Sequence, residues 1–131
     1  MGALYRMTTP DPYIYKCTLD RIIDADTVDA DIDLGFSIWQ HKQRIRFRGI
    51  DTPESRTRNK AEKALGLAAK ARTTELVGET FLLRTFLEKG KFGRILGEPL
   101  TESGESVCDV LIREGHARPY FGGKKVKWVE E

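Results

Sequence analysis

The chain has 131 residues, a length that suits a single domain with one hydrophobic core. Hydrophobic residues make up 40% and charged residues 32%, a balance that excludes an intrinsically disordered chain and a membrane-embedded one. No apolar run approaches the ~20 residues that cross a bilayer. No secretion signal is visible, so we expect a cytoplasmic protein unless a signal was removed. Cys17 and Cys108 are too few for a disulfide framework, and we expect two reduced, packed thiols.

The formal net charge of +2 is unevenly distributed. Residues 1–40 contain three Lys or Arg and seven Asp, whereas residues 41–131 contain 19 Lys or Arg and 13 Asp or Glu. An acidic first part and a basic remainder suit a polyanion bound near a cluster of carboxylates. Ordinary uneven surface charge explains the same counts equally well.

The first half of the chain predicts an arm, three strands and a helix. Residues 1–12 contain two prolines and no periodicity, which indicates a flexible arm before a single domain over residues 13–131. Alternating or β-favouring residues predict strands over residues 13–20, 28–34 and 44–48, with a loop or hairpin over 35–43. Asn59 and Glu62 resemble a capping box, and Gly78 lies where the following helix would end. Within that helix, Gly66 costs about 1 kcal/mol relative to alanine.

Small and apolar residues recur along this helix at helical spacing: Ala61, Ala64, Leu65, Ala68, Ala71 and Leu76. The second half then predicts strands over residues 80–87 and 91–96, a turn at 88–90, and a helix from Val107 to Glu114 capped by Ser106. Five strands with a helix between the third and the fourth match an α+β fold, a Greek-key OB barrel with two helices.

Asp26 is the first candidate for chemistry. It continues the apolar face of Val28, Ala30 and Ile32, where a carboxylate is costly unless a cation or hydrogen bonds compensate it. The neighbouring acids Asp29, Asp31 and Asp33 lie on the opposite face, where water is expected to solvate them. The alternative is that the strand begins after Asp26 and leaves this residue in a turn.

A second group of oxygen-bearing side chains follows the third strand. Asp51, Thr52 and Glu54 lie within four residues, and Pro53 restricts the backbone between them. Such a turn suits a hard divalent cation such as calcium. Neither histidine has zinc-ligand spacing. The alternative is a plain bend in which Glu54 only approaches and caps the helix.

Four arginines could meet phosphate. Arg44, Arg46 and Arg48 share one face of a strand, and Arg94 lies two residues after Phe92 in a predicted turn-to-strand element. A planar guanidinium binds phosphate well, but a solvated charged face explains the same pattern. Phosphodiester hydrolysis needs a metal or arginine against the developing charge and a carboxylate near the attacking water, and this chain contains all of these parts.

At these positions the sequence resembles the staphylococcal nuclease (thermonuclease) family over about residues 13–121. Three motifs carry the resemblance, in order and at compatible spacing. They appear here as Arg21-Ile22-Ile23-Asp24-Ala25-Asp26-Thr27, as Arg46 followed five residues later by Asp51-Thr52-Pro53-Glu54, and as Phe92-Gly93-Arg94.

The resemblance implies an OB-barrel endonuclease that uses calcium to hydrolyse the phosphodiester bonds of DNA, RNA or both. It implies a metal site made of Asp26, Asp51 and the backbone carbonyl of Thr52, supported by Asp24 without direct contact. It implies that Arg46 and Arg94 bind the phosphate while Glu54 lies near the attacking water. Nucleotide contacts would come from Lys91, Phe92, Tyr120 and Phe121.

Stacking of unpaired bases on these aromatic side chains would favour single strands. No base-reading motif is visible, so little sequence specificity is expected. We expect a monomer with no membrane partner.

Some positions depart from the family pattern. Ala25 replaces a glycine and would cost about 1 kcal/mol if its φ were positive. Phe92 replaces a tyrosine, and the segment between the first two motifs is longer, so that Phe36 and Trp39 would form an extra surface beside the site. Few residues follow Phe121, so the family's C-terminal helix is expected to be absent.

Two other classes of protein are possible. An inactive OB module that only binds single-stranded nucleic acid would be expected to lack some of the three acids and two arginines, all of which are present here. An interaction domain that uses the Trp39 loop as an apolar surface is the third reading.

Overall fold

The computed structural model describes residues 13–89 and 94–129. The predicted arm over residues 1–12 lies outside this range, as do Lys91 and Phe92. In chain order the elements are β1 (Ile14–Asp24), β2 (Thr27–Asp33), β3 (Trp39–Phe47), β4 (Ile50–Asp51), α1 (Lys60–Val77), β5 (Thr80–Lys89), β6 (Ile95–Leu100), α2 (Val107–Arg113) and β7 (Arg118–Pro119).

Five strands form a closed barrel in the order β1-β2-β3-β6-β5. Neighbouring strands are antiparallel, except that β3 and β6 pair in parallel over residues 45–47 and 95–97. Helix α1 lies between the third and the fourth barrel strands in the sequence. The predicted α+β fold, a five-stranded OB barrel with two helices, is therefore confirmed.

Alternation along the strands fills the barrel with apolar side chains. The buried core includes Val28, Ala30, Ile32, Ile45, Phe47 and Leu83 from the strands and Val107 and Leu111 from α2. Cys17 and Cys108 are also buried there and are not bonded to each other. Burial raises the pKa of each thiol to about 12, so both stay protonated at neutral pH.

The hairpin between β2 and β3 points away from the end of the barrel where β2 begins. The two strands pair from Thr27 opposite Arg46 to Asp33 opposite Trp39. Phe36 is 97% exposed at the tip of the hairpin. The expectation that Phe36 and Trp39 border the site of the acidic motifs is therefore wrong. They lie at the opposite end of this ladder, about six residues or ~20 Å along the strand.

The prediction that water solvates Asp29 is also wrong. This residue is only 7% exposed, because two arginine side chains cover it. Arg44 donates from Nε and Nη2 to its two carboxylate oxygens at 2.8 and 3.1 Å, and Arg21 donates from Nε at 3.0 Å. Hydrogen bonding from Arg44 is the main cause that lowers the pKa of Asp29. Arg44 is thus the partner of a β2 carboxylate.

The last barrel strand lies further along the chain than predicted. The predicted strand over 91–96 overlaps β6 only at Ile95 and Leu96, and β5 continues through Lys89 into the predicted turn. Gly97 and Pro99 made β6 hard to predict, because both residues are unfavourable in the interior of a strand. A side chain at position 97 would collide with Leu83, and Pro99 pairs only with β5, beyond the region paired with β3.

Helix α1 was predicted at the right place, but the residues that gave its periodicity are mostly exposed. Its buried face consists instead of Gly66, Ala69, Thr73 and Val77. These mostly small residues let the helix approach the barrel closely. Asn59 caps the helix by accepting hydrogen bonds from the backbone N–H groups of residues 61 and 62.

Two short strands that the sequence did not predict, β4 and β7, pair with each other outside the barrel. Ile50 is opposite Pro119 and Asp51 is opposite Arg118. This pairing brings the end of the described chain to the start of the Asp51 turn. Neither helix in the described part of the chain is long and apolar enough to span a membrane.

Candidate active site

One cavity of about 330 Å³ brings together side chains from the two acidic motifs and the arginines. Of the candidates from the sequence, it is lined by Asp24, Asp26, Arg46, Asp51, Thr52, Glu54 and Arg94. These residues come from the end of β1 and the β1–β2 turn, the end of β3, β4 and the segment after it, and the position just before β6. Residues up to 70 positions apart in the sequence therefore share one surface.

Asp26 is the last residue before β2, as the alternative interpretation of its position predicted. It is nevertheless buried, and its carboxylate accepts a hydrogen bond from Thr27 Oγ1 at 2.9 Å and pairs with Arg46 Nη1 at 3.3 Å. The cost of burying this carboxylate is thus offset by a donor and a cation. Ala25 is fully buried and is not among the described residues with positive φ, so the expected strain at this position is absent.

Arg46 is held on three sides. Besides its contact with Asp26, it donates to the carbonyl oxygens of Phe47 and Ile50, each at 2.9 Å. Because these bonds fix the side chain before any ligand arrives, little rotamer freedom remains to be lost on binding. The other arginine of this strand end, Arg48, lies over the rings of Phe86 and Phe121 instead, with its Cζ 4.6 and 5.8 Å from their centroids.

The turn after β4 is tied to β1 through Asp24. One carboxylate oxygen of Asp24 accepts hydrogen bonds from Ser55 Oγ at 2.6 Å and from Ser55 N at 3.2 Å. Asp24 thus fixes the chain next to Glu54 and lies beside Asp26 in sequence. Its contacts suit a supporting role between the two acidic motifs.

Helix α1 holds the same turn from the other side. Glu62 Oε2 accepts a hydrogen bond from Glu54 N at 3.0 Å, so Glu62 does not complete the predicted capping box. Gly66 faces the backbone of Glu54 and Ser55 so closely that a Cβ atom would overlap the Glu54 carbonyl. The helix also reaches the first acidic motif, since Thr73 Oγ1 donates to Ala25 O at 2.8 Å.

Asp51 is buried, and both of its carboxylate oxygens contact the segment after β7. Lys125 Nζ lies 3.1 Å from Oδ1, and Trp128 Nε1 donates to Oδ2 at 3.2 Å. Thr52, the next residue, is buried with a hydroxyl oxygen that has no hydrogen-bond partner among the described residues.

The donor set of this cavity is suited to a hard cation. Asp26 and Asp51 offer carboxylate oxygens, and Thr52 lines the cavity and has an unpartnered buried hydroxyl. An all-oxygen set of this kind fits calcium or magnesium better than zinc, which favours cysteine and histidine ligands. Within residues 13–89 and 94–129, no three His, Cys, Asp or Glu side chains are close enough to hold one metal ion. A cation here would therefore take its remaining ligands from the backbone and from solvent.

The two aromatic residues predicted to contact a nucleotide line a neighbouring cavity of about 220 Å³. Tyr120 and Phe121 form part of its wall, and Asp51 and Val126 line both cavities. Phe121 is largely exposed, and the hydroxyl of Tyr120 donates to Gly123 O at 2.8 Å. A face for base stacking is thus next to the acidic site. The other two predicted contacts, Lys91 and Phe92, lie outside the described residues.

Sequence reasoning missed several residues of the cavity. The sequence predicts Glu62 only as part of a helix cap, and it predicts no site role for Lys125 or Lys127. The contact of Trp128 with Asp51 could not be predicted, because the two residues are 77 positions apart in the sequence.

Comparisons with known proteins agree with these motifs. Residues 44–129 match the model of a family described as staphylococcal nuclease homologue. Endonuclease YncB of Bacillus subtilis (strain 168) is 33% identical over 124 residues, which are 90% of this chain and 54% of YncB. The SPbeta prophage-derived endonuclease YokF of the same organism is 32% identical over 119 residues, or 87% of this chain and 38% of YokF. Endonuclease YhcR, also from that organism, is 33% identical over 116 residues, 82% of this chain and 9% of YhcR. The chain thus spans about half of YncB and less of the other two.

Proposed function

Because the chain belongs to the staphylococcal nuclease homologue family, we propose that it is a calcium-dependent endonuclease that hydrolyses phosphodiester bonds of DNA, RNA or both. The observation that carries this proposal is the single cavity that three acids and two arginines line: Asp26, Asp51, Glu54, Arg46 and Arg94. The endonuclease names of the three relatives support the same reaction type.

Each residue of the site has a distinct task in this proposal. Asp26, Asp51 and the carbonyl of Thr52 would hold calcium, which when bound would offset the charge that develops on the phosphate. Arg46 and Arg94 would contact the non-bridging phosphate oxygens, where a guanidinium makes its strongest hydrogen bonds. Removing either guanidinium should cost roughly 2–4 kcal/mol of transition-state stabilisation if it acts as an oxyanion-type donor.

Glu54 would orient the attacking water or take its proton. Its side chain is exposed and lines the cavity, while its backbone N–H is fixed by Glu62. The backbone is therefore held in place while the carboxylate can reach a water molecule. General-base or positioning roles of this kind contribute about 10² or more to the rate.

Single-stranded substrate is favoured by the exposed ring of Phe121 next to the site. Unpaired bases stack on such rings regardless of their identity, which also agrees with low sequence specificity. Binding should weaken as salt rises, because the basic side chains release counterions from the nucleic acid.

The test is cleavage of single-stranded DNA and RNA with calcium, with magnesium and with chelator. We expect cutting that needs calcium, and we expect Glu54→Gln to slow turnover by about 10² while the fold stays intact. Glu102→Gln is the matched control, because Glu102 is exposed in the turn after β6 and does not line the cavity. Equal rates for wild type and Glu54→Gln would remove Glu54 from the mechanism.

An inactive module that binds single-stranded nucleic acid is the second candidate. It is favoured by the contacts of Asp51, whose two oxygens are engaged by Lys125 and Trp128. Binding without cleavage under every metal condition would support this candidate and overturn the nuclease proposal.

A further inference from the structure

Residues 122–128, here called the tail segment, are fixed against the small sheet of β4 and β7. Arg118 Nη1 donates to the carbonyl oxygens of Val126 and Lys127 at 3.4 and 3.1 Å. The Arg118 guanidinium also lies over the ring of Trp128, 3.9 Å from its centroid. Since Arg118 is opposite Asp51 in this sheet, the tail segment is positioned at one of the predicted metal ligands.

Lys125 takes the position of a cation at that ligand. Its ammonium group is 3.1 Å from Asp51 Oδ1, and 5.3 Å from the centroid of the Tyr120 ring. The side chain of Lys125 is 55% exposed, so it can leave this contact without opening the core. A divalent cation on Asp51 would repel the ammonium group and compete with it for the same oxygen.

The formal charge of the cavity indicates that Lys125, once displaced from Asp51, would help to attract a phosphodiester. Among the described residues that line the cavity, five acids and four basic side chains give a formal charge of −1. A divalent cation would bring the site to +1, which attracts a phosphodiester. Without Lys125 the loaded site would be neutral, and without both Lys125 and Lys127 it would carry −1 and repel its own substrate.

We propose that Lys125 is a substrate-binding residue, which holds Asp51 before metal binds and contacts the substrate phosphate once a divalent cation replaces it there. This inference rests on the proposed nuclease function. A lysine ammonium group suits this exchange, because it is a compact point charge with three donors on a flexible stem and needs no fixed geometry.

The experiment compares Lys125→Met with wild type in two binding measurements. Calcium binding is measured by calorimetry without nucleic acid, and we expect about two- to fivefold tighter binding, since a competing exposed ion pair is removed. Binding of a labelled single-stranded phosphorothioate oligonucleotide is measured by fluorescence anisotropy in calcium, and we expect about tenfold weaker binding. The slope of log affinity against log salt should fall by about 0.7.

Lys124→Met is the matched control, because Lys124 is the neighbouring exposed lysine and lines the cavity of Tyr120 and Phe121 but not the acidic cavity. It should leave calcium binding unchanged and weaken the oligonucleotide less than Lys125→Met does. Lys125→Arg keeps the charge and should restore oligonucleotide binding to near the wild-type level.

Opposite changes in the two affinities support the inference. If Lys125→Met weakens both calcium and oligonucleotide binding, Lys125 only pins the tail segment and the inference is wrong. If Lys125→Met behaves like Lys124→Met, it is also wrong. Wild-type protein that binds but never cuts would overturn the proposed function, whereas a cutting wild type with unchanged Lys125 variants would overturn only this inference.

Discussion

Replacing Gly66 by alanine should push helix α1 away from the turn that carries Glu54. A Cβ atom at position 66 would lie 2.5 Å from the carbonyl carbon of Glu54 and 2.7 Å from Ser55 N. Ordinary contacts of a Cβ atom begin at about 3.4 Å. The helix and the turn must therefore separate by about 1 Å, and because both sides of the contact are backbone, no side chain can rotate away to make room.

The net effect on stability is the difference between two terms. Alanine favours the helix over glycine by about 1 kcal/mol, whereas overpacking of a close contact costs about 1–3 kcal/mol. With backbone on both sides the upper part of that range applies, so we expect a net loss of about 1–2 kcal/mol in the free energy of unfolding. A displacement of about 1 Å at Glu54 should also lower cleavage by tenfold or more.

Urea denaturation and the rate of cleavage of single-stranded DNA measure the two effects. Ala68→Gly is the control, because Ala68 is exposed on the same helix and reports helix propensity alone. It should cost about 1 kcal/mol and leave the cleavage rate unchanged. If Gly66→Ala is as stable as wild type and cuts at the same rate, the argument that this glycine positions the turn is wrong.

Two further changes test the supports of the fold and the site. Glu62→Ala removes the acceptor of Glu54 N and should lower the cleavage rate about tenfold and the free energy of unfolding by about 1 kcal/mol. Glu62→Gln keeps an acceptor and should recover much of both losses. Equal cleavage rates for the two variants would contradict this role of Glu62. Asp29→Asn should destabilise the protein by about 1–2 kcal/mol at pH 7 in urea denaturation, because Arg21 and Arg44 lose their counterion. Since the pKa of Asp29 is lowered in the folded state, this stabilisation is present above the ordinary Asp pKa of about 3.9 and is lost as pH falls through the lower folded value. A difference between wild type and variant that does not shrink toward pH 3 would show that charge is not the cause.

The barrel could be predicted because its strands alternate strictly where they face both core and solvent. The run from Val28 to Leu34 is the clearest case, and Asn59 marked the start of α1 within one residue. Strand β6 could not be placed, because it contains Gly97 and Pro99. Gly97 makes room for Leu83, and Pro99 is tolerated because it lies beyond the residues that pair with β3. Those reasons exist only in three dimensions.

The site could be predicted only as a set of residue types. Asp26, Asp51 and Glu54 were identified by the motifs that contain them, and the structure places them on one cavity. The groups that hold them could not be identified in the same way. Glu62 and Trp128 meet the acidic turn because helix α1 and strand β7 dock on it, and that docking depends on contacts between distant parts of the chain.

The position of Trp128 gives the protein an internal optical probe. Its indole donates to a carboxylate oxygen of Asp51 and lies under the guanidinium of Arg118, so its emission depends on the charges around it. The sequence contains only two tryptophans, and the other, Trp39, is at the far end of the β2–β3 ladder. A Trp39→Phe background would leave a single emitter, and its fluorescence would then follow the occupancy of Asp51 without any attached label.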